Sequence, residues 1–131
     1  MFVSELSQEE KIGLVQLVTS IAKADGNIAE EEVNFLTSYA RDHGVSFDIN
    51  VDIDLEQACS LIKSPKGKII AIQELVKIAI SDGHYDESEK LGARAIASLL
   101  SLPLKTFEEV ESWVIEGQRW VQKGEEMVAN A

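Results

Sequence analysis

Two stretches of the chain set carboxylates at a spacing that suggests cation chemistry. Asp25-Gly26 is followed by Glu30, Glu31 and Glu32, and Asp82-Gly83 by Asp86, Glu87 and Glu89, so that each stretch carries the pattern D-G-x5-E. Clustered oxygen anions of this kind are what a hard divalent cation takes as ligands. The second half of an EF-hand loop has the same spacing, with Asp25 at loop position 5, Gly26 at 6, Ile28 at 8 and Glu32 at the bidentate position 12. The first half fails, because positions 1 and 3 would be Ile21 and Lys23 in one loop and Ile78 and Ile80 in the other. A true EF-hand is therefore rejected. Asp48-x-Asn50-x-Asp52 is a second near miss, with Ile53 where the glycine belongs and Cys59 where the glutamate does.

A plainer reading of the same residues stands beside the cation reading. Glu30, Glu32, Glu87 and Glu89 fall in first turns of helices, where the macrodipole favours a carboxylate by roughly 0.3–1 kcal/mol. Asp25 and Asp82 follow helix C-termini, where the same dipole opposes a negative charge, so they call for compensation by a cation or by a local Asp-Gly turn.

Little else in the sequence suggests chemistry. His43 and His84 pair with no recognisable nucleophile motif, His43 falling near a helix end where its partial charge complements the dipole, and His84 inside an acidic loop. Cys59, the single cysteine, excludes an intramolecular disulfide and a cysteine zinc cluster, and reads as a small buried apolar residue. There is no Gly-rich phosphate loop, no HExxH and no basic aromatic patch. The chain is accordingly read as a non-enzymatic binding module, although a hydrolase using metal-bound water would also fit if a coordination position stood open. A net charge of -11 repels nucleic acid and anionic membranes, and the most apolar segment, 69–80, is interrupted by Gln73, Glu74 and Lys77. Neither nucleic-acid binding nor membrane insertion is expected, and a reducing cytoplasm is the natural location.

The elements that must position the acidic loops are legible as a repeat. A shift of 57 lays residues 11–45 on 68–102 without a gap, and ten of the 35 pairs are identical, including both Asp-Gly pairs, Glu30/Glu87 and Glu32/Glu89. Each repeat reads as helix, short turn, helix. Ser7 with Glu10 forms a capping box, Ser64-Pro65 an N-cap with an N1 proline, and Asp86 with Glu89 another cap. Gly26, Gly44 and Gly83 serve as stops. Between the repeats, Ile49, Val51, Ile53 and Leu55 alternate with polar residues, but a lone strand has no partner, so an extended connector leading to a short helix capped at Asp54 is expected. One domain, 1–131, then comprises repeat one (11–45), the connector (46–63), repeat two (64–102) and a C-terminal helix (106–128). That helix carries Trp113/Trp120/Met127 and Phe107/Val114/Val121/Val128 at seven-residue spacing. Its wide apolar face is expected to be covered by the repeat helices, with Trp120 the more buried tryptophan because Gly117 and Gly124 admit close approach.

The pattern Ala24-Asp25-Gly26-x-Ile28-x-Glu30-x-Glu32, repeated as Asp82-Gly83-x-Tyr85-x-Glu87-x-Glu89, resembles the tellurite-resistance TerB-like family, which includes the N-terminal domain of DjlA-type co-chaperones. The resemblance spans residues 7–125. It implies an all-α fold of about six helices with pseudo-twofold symmetry, a stress-related role, and a metal-binding cluster of Asp25, Glu32, Asp82 and Glu89, with Glu30 and Glu87 as further ligands. Oxygen-only ligands favour calcium, magnesium or manganese. Ser81 and the pair His84-Tyr85 depart from the family pattern, and no J-domain follows, so neither a co-chaperone role nor tellurite resistance itself carries over. The alternative is a protein-interaction domain whose partner docks on the Trp113/Trp120 face, with solvated acidic loops.

Overall fold

A helix begins where the sequence can satisfy its first backbone N–H groups, and most of these helices do so with side-chain caps. The computed structural model describes residues 1–24, 28–81 and 85–131. Among the described residues the chain is all-helical, with a 3₁₀ turn at Val3–Glu5 and six helices. These are α1 (Gln8–Ala22), α2 (Glu30–Asp42), α3 (Leu55–Ser60), α4 (Pro65–Ile80), α5 (Glu87–Leu99) and α6 (Leu104–Ala129). The offset of 57 that aligns the sequence identities also separates the first residues of α1 and α4, and of α2 and α5.

Ser7 Oγ accepts from Glu10 N at 3.2 Å and Ser7 N donates to Glu10 Oε1 at 3.1 Å, closing the capping box of α1. The other oxygen of the same carboxylate reaches α4. Ser64 donates to Glu10 Oε2 from both its hydroxyl (2.7 Å) and its backbone N (3.1 Å), while Ser64 Oγ caps Gly67 N at 3.0 Å. Gly67 is the position, 57 residues after Glu10, where a second capping-box acid would stand. A Cβ there would collide with Glu10 Oε2 and Ser64 Oγ. One carboxylate thus serves two helix starts. Burial pushes Glu10 up, but the donors from Ser64 and Ser7 outweigh it and hold the group below the usual carboxylate range.

α1 packs against α2, α3, α4 and α5, and α4 against α5 and α6, so these two helices form the centre. Leu14, Leu17, Val18, Leu36, Ile62, Ile72, Leu75, Val76, Ile96, Leu100 and Phe107 fill the core. Glu74 lies among them, accepting from Tyr39 OH (2.7 Å), Lys77 Nζ (2.8 Å) and the Met1 amino group (3.0 Å). Burial raises its pKa, and these three donors more than reverse the effect. The connector is unpaired, as expected, but it is not extended throughout: it turns at Asp48, which accepts from Val51 N on its carbonyl at 3.3 Å and from Asn50 N on its side chain at 2.9 Å. Phe47, Ile49 and Ile53 pack onto the core, the turn leaves Val51 exposed, and Lys23 Nζ at the end of α1 donates to Ile49 O at 3.0 Å.

His43 lies at the end of α2, as expected, and stands 4.6 Å, centroid to centroid, from the Tyr39 ring, where burial lowers its pKa. Two expectations need correction. α6 begins at Leu104 instead of 106, because the carbonyl of Pro103 already accepts Phe107 N at 3.1 Å, which leaves Thr106 inside the helix. The repeat helices do not cover the α6 stripe. Val114 is its last buried residue, and Trp113 and Trp120 are 47% and 78% exposed, so the expected burial of Trp120 is overturned. α6 is long enough to run past its neighbours. The stops at Gly26 and Gly83 lie outside the described residues.

α2 ends on Gly44 at φ +72°, with Val45 N returning to Ala40 O at 2.8 Å. α5 ends in the same manner on Ser101 at φ +62°, with Leu102 N returning to Ala97 O at 2.9 Å. Serine is strained in that conformation and glycine is not. Ser101→Gly should therefore raise stability by about 0.5–1 kcal/mol, read from the urea midpoint. Glu10→Ala should lower it by roughly 1.5–3 kcal/mol, since it removes charge-assisted hydrogen bonds from two helices at once. Glu10 and Glu74 both titrate lower when folded, so their contribution is complete above the ordinary glutamate pKa of about 4.3 and disappears as the pH falls through the lowered values. Unfolding midpoints measured from pH 7 to pH 3 should fall steeply at the acid end, and Glu10→Gln should flatten that fall.

Candidate acidic cleft

α1 packs on α4, and the last turns of both helices lie with the first turns of α2 and α5 around one space. Between them lies a cleft of about 630 Å³. Its apolar lining comes from Val18, Ile21, Leu36, Ile78 and the partly exposed Phe35, and its acidic lining from Glu31, Glu32, Asp86 and Glu89. The two D-G-x5-E glutamates therefore face a common space, although they stand 57 residues apart in sequence. Ser81, Ser88 and Gly92 complete the α4 and α5 side.

Local capping fixes both glutamates. Ala29 N donates to Glu32 Oε1 at 3.2 Å, the return half of a capping box whose other half an alanine cannot supply. In the second loop the box is complete, with Asp86 Oδ1 accepting from Glu89 N at 2.8 Å and Asp86 N donating to Glu89 Oε1 at 3.4 Å. Ser88 Oγ adds a bond to Asp86 Oδ1 at 2.8 Å. Backbone N–H donors, chiefly Glu89 N, hold Asp86 below the usual aspartate range.

The second loop is also tied to α6. Tyr85 OH donates to Glu111 Oε2 at 2.6 Å, Lys90 Nζ lies 3.9 Å from Glu111 Oε1, and Gln118 Nε2 donates to Ile80 O at 2.7 Å. Burial, then the Glu111 carboxylate, push the Tyr85 phenol well above its ordinary pKa. Tyr85, a departure from the family pattern, is thus an anchor for the loop that carries it.

Of the six expected ligands, Glu32 and Glu89 are brought together in the cleft. Glu30 and Glu87 are exposed on the first turns of α2 and α5 and are not among its lining residues. Asp25 and Asp82 lie outside the described residues, as does His84. Among the described residues no group of three His, Cys, Asp or Glu side chains is arranged to hold a metal ion. Sequence reasoning passed over Glu31 and Asp86 as lining residues; Asp86 was legible as a cap, but its direction toward the cleft depends on how α5 packs. Cys59 is buried, and burial raises its thiol pKa, as suits an unreactive side chain.

The profile of the family described as tellurite resistance protein TerB matches residues 43–112, more than half of the chain. This chain belongs to the TerB family. The TerB match runs from the end of α2 into the first part of α6 and contains the whole second acidic stretch, while Asp25, Glu30 and Glu32 precede it. Comparison with curated proteins and with solved structures gives no match. Among the described residues of this TerB-family chain no helix is long and apolar enough to cross a membrane.

Tyr85→Phe removes a donor to a buried carboxylate and should lower stability by about 1.5–3 kcal/mol in urea denaturation. Glu111→Gln with Tyr85→Phe should cost less than the sum of the two single changes, since both remove the same bond.

Proposed function

We propose that this TerB-family chain is a non-enzymatic module that binds a hard divalent cation, calcium, magnesium or manganese, in the acidic cleft. The observation that supports this is the convergence of Glu32 and Glu89 on one space also lined by Glu31 and Asp86. Four carboxylates beside an apolar lining concentrate negative potential, and their hard oxygen donors suit these ions better than zinc or copper. Asp25 and Asp82, from the loops just before α2 and α5, complete the donor set in this reading. The backbone bonds to Glu32 Oε1 and Glu89 Oε1 occupy one oxygen of each carboxylate, and in this reading the other oxygen is the one offered to the ion. A cytoplasmic location belongs to the proposal and is supported by the lone, buried Cys59.

The exposure of Trp113 and Trp120 favours a second reading, in which the α6 face is a protein-interaction surface. In that reading the acidic loops are solvated and bind no ion.

Asp25→Asn with Asp82→Asn should stabilise the metal-free protein slightly, because it removes two negative charges just beyond helix C-termini in a chain of net charge -11. A ligand that binds only the folded state adds about 2.7 kcal/mol at a hundredfold excess over its Kd, and the double variant should lose most of that gain. Glu32→Gln with Glu89→Gln should lose it too, whereas Glu30→Gln with Glu87→Gln should retain it. Thermal melts with and without millimolar calcium or manganese check all three. Wild-type stabilisation no greater than that given by monovalent salt at equal ionic strength would overturn the cation reading.

A further inference from the structure

Ile115 still packs on the core and Gln118 still bonds Ile80 O, and beyond Gln118 the α6 helix leaves the body of the protein. Every residue from Arg119 to Ala131 is exposed, and no atom lies within 4 Å of a Cβ built at Gly117 or Gly124. Trp113, Trp120 and Met127 repeat every seven residues along this arm, Val121 and Val128 run beside them, and the two glycines fall between. Taken together, Trp113, Gly117, Trp120, Gly124 and Met127 alternate by four and three residues, the heptad spacing by which one helix pairs with another at a shallow left-handed crossing. The partner's character can be read from size and charge.

We propose that the arm pairs with the same arm of a second copy of this chain, antiparallel, about a twofold axis passing between Gln118 and Arg119. In that register Trp120 lies against Gly117 of the second copy and Trp113 against its Gly124, so each large side chain meets a gap. Glu116 stands beside Lys123 of the second copy, and the symmetry repeats the pair. A parallel, in-register pair would set tryptophan on tryptophan, glycine on glycine and Glu116 on Glu116. Residues 113–131 hold three acids (Glu116, Glu125, Glu126) against two bases (Arg119, Lys123), so the arm is nearly neutral in a chain of net charge -11. A basic partner recruited by charge would find more acid almost anywhere else on the molecule. The exposed apolar side chains offer on the order of 600 Å² per copy, with aromatics contributing up to ~150–250 Å² each, and doubling this reaches the lower end of specific interfaces at about 1,200 Å².

This inference rests on the interaction reading of α6 and is independent of the cation reading, so the test is run in chelator. Both tryptophans of the chain lie on the stripe, and intrinsic emission therefore reports on it directly. Sedimentation equilibrium of the full chain over rising concentration should show the mass climbing from 14.4 kDa toward twice that value, with tryptophan emission shifting to the blue in step. Gly117→Leu, which fills open space in the single chain, should leave the fold intact and weaken pairing by roughly tenfold, equivalent to ~1.4 kcal/mol. Glu116→Lys should weaken it similarly, and adding Lys123→Glu should restore it. A merely adhesive apolar face would instead associate more tightly on Gly117→Leu and ignore the charge exchange; either result overturns the proposal. A chain that stays monomeric with red-shifted emission overturns self-pairing alone. A monomer whose emission is already blue overturns the exposed stripe, and the interaction reading with it.

Discussion

The carboxylate of Glu10 is the contact on which the arrangement of the two central helices depends. α4 begins with Pro65, Lys66, Gly67 and Lys68, a first turn with no acid and two cations at the positive end of the helix dipole. Glu10 supplies the missing negative charge, and Glu5 lies 3.6 Å from Lys66 on the same side. The N-termini of α1 and α4 are therefore drawn together by charge as well as by burial. The C-termini of the same helices lie toward the acidic loops, so the convergence of Glu32 and Glu89 follows from how the other ends are fastened.

Local chemistry made much of this fold legible. Ser7, Asp54, Ser64 and Asp86 all act as the N-caps their sequence contexts indicate, because a cap is decided within four residues. Gly44 stops α2 as expected, and Pro103 marks the end of α5 near Ser101, but nothing in the sequence shows that the serine itself takes the left-handed conformation. Glu10 was visible as one half of a capping box, but its second pair of donors was not. Nothing in the sequence near Gly67 says which distant side chain fills the space left by its missing Cβ.

The candidate site was legible in type and only partly in membership. Spacing picked out Glu32 and Glu89, which the packing of α2 and α5 turns toward one cleft, and also Glu30 and Glu87, which it turns away. Two residues along a helix shift direction by about 200°, so neighbours in a short acidic run cannot all face one space. The error over Trp120 had a different origin. An apolar stripe shows that a face prefers cover, but the source of that cover depends on where the neighbouring helices end, and here they end before it.

The link between Glu10 and Ser64 spans 54 residues of chain. In synthesis from the N-terminus the acceptor emerges first and the helix that needs it emerges only after α2, the connector and α3. The start of α4, with lysines in its first turn, is therefore a poor nucleus by itself, and its first turn is completed by a contact whose loop-closure entropy must be met before the reward arrives. Such dependence makes α1 a template for α4 and couples the two halves of the chain into one cooperative folding event, even though each half contains a helix-turn-helix of its own.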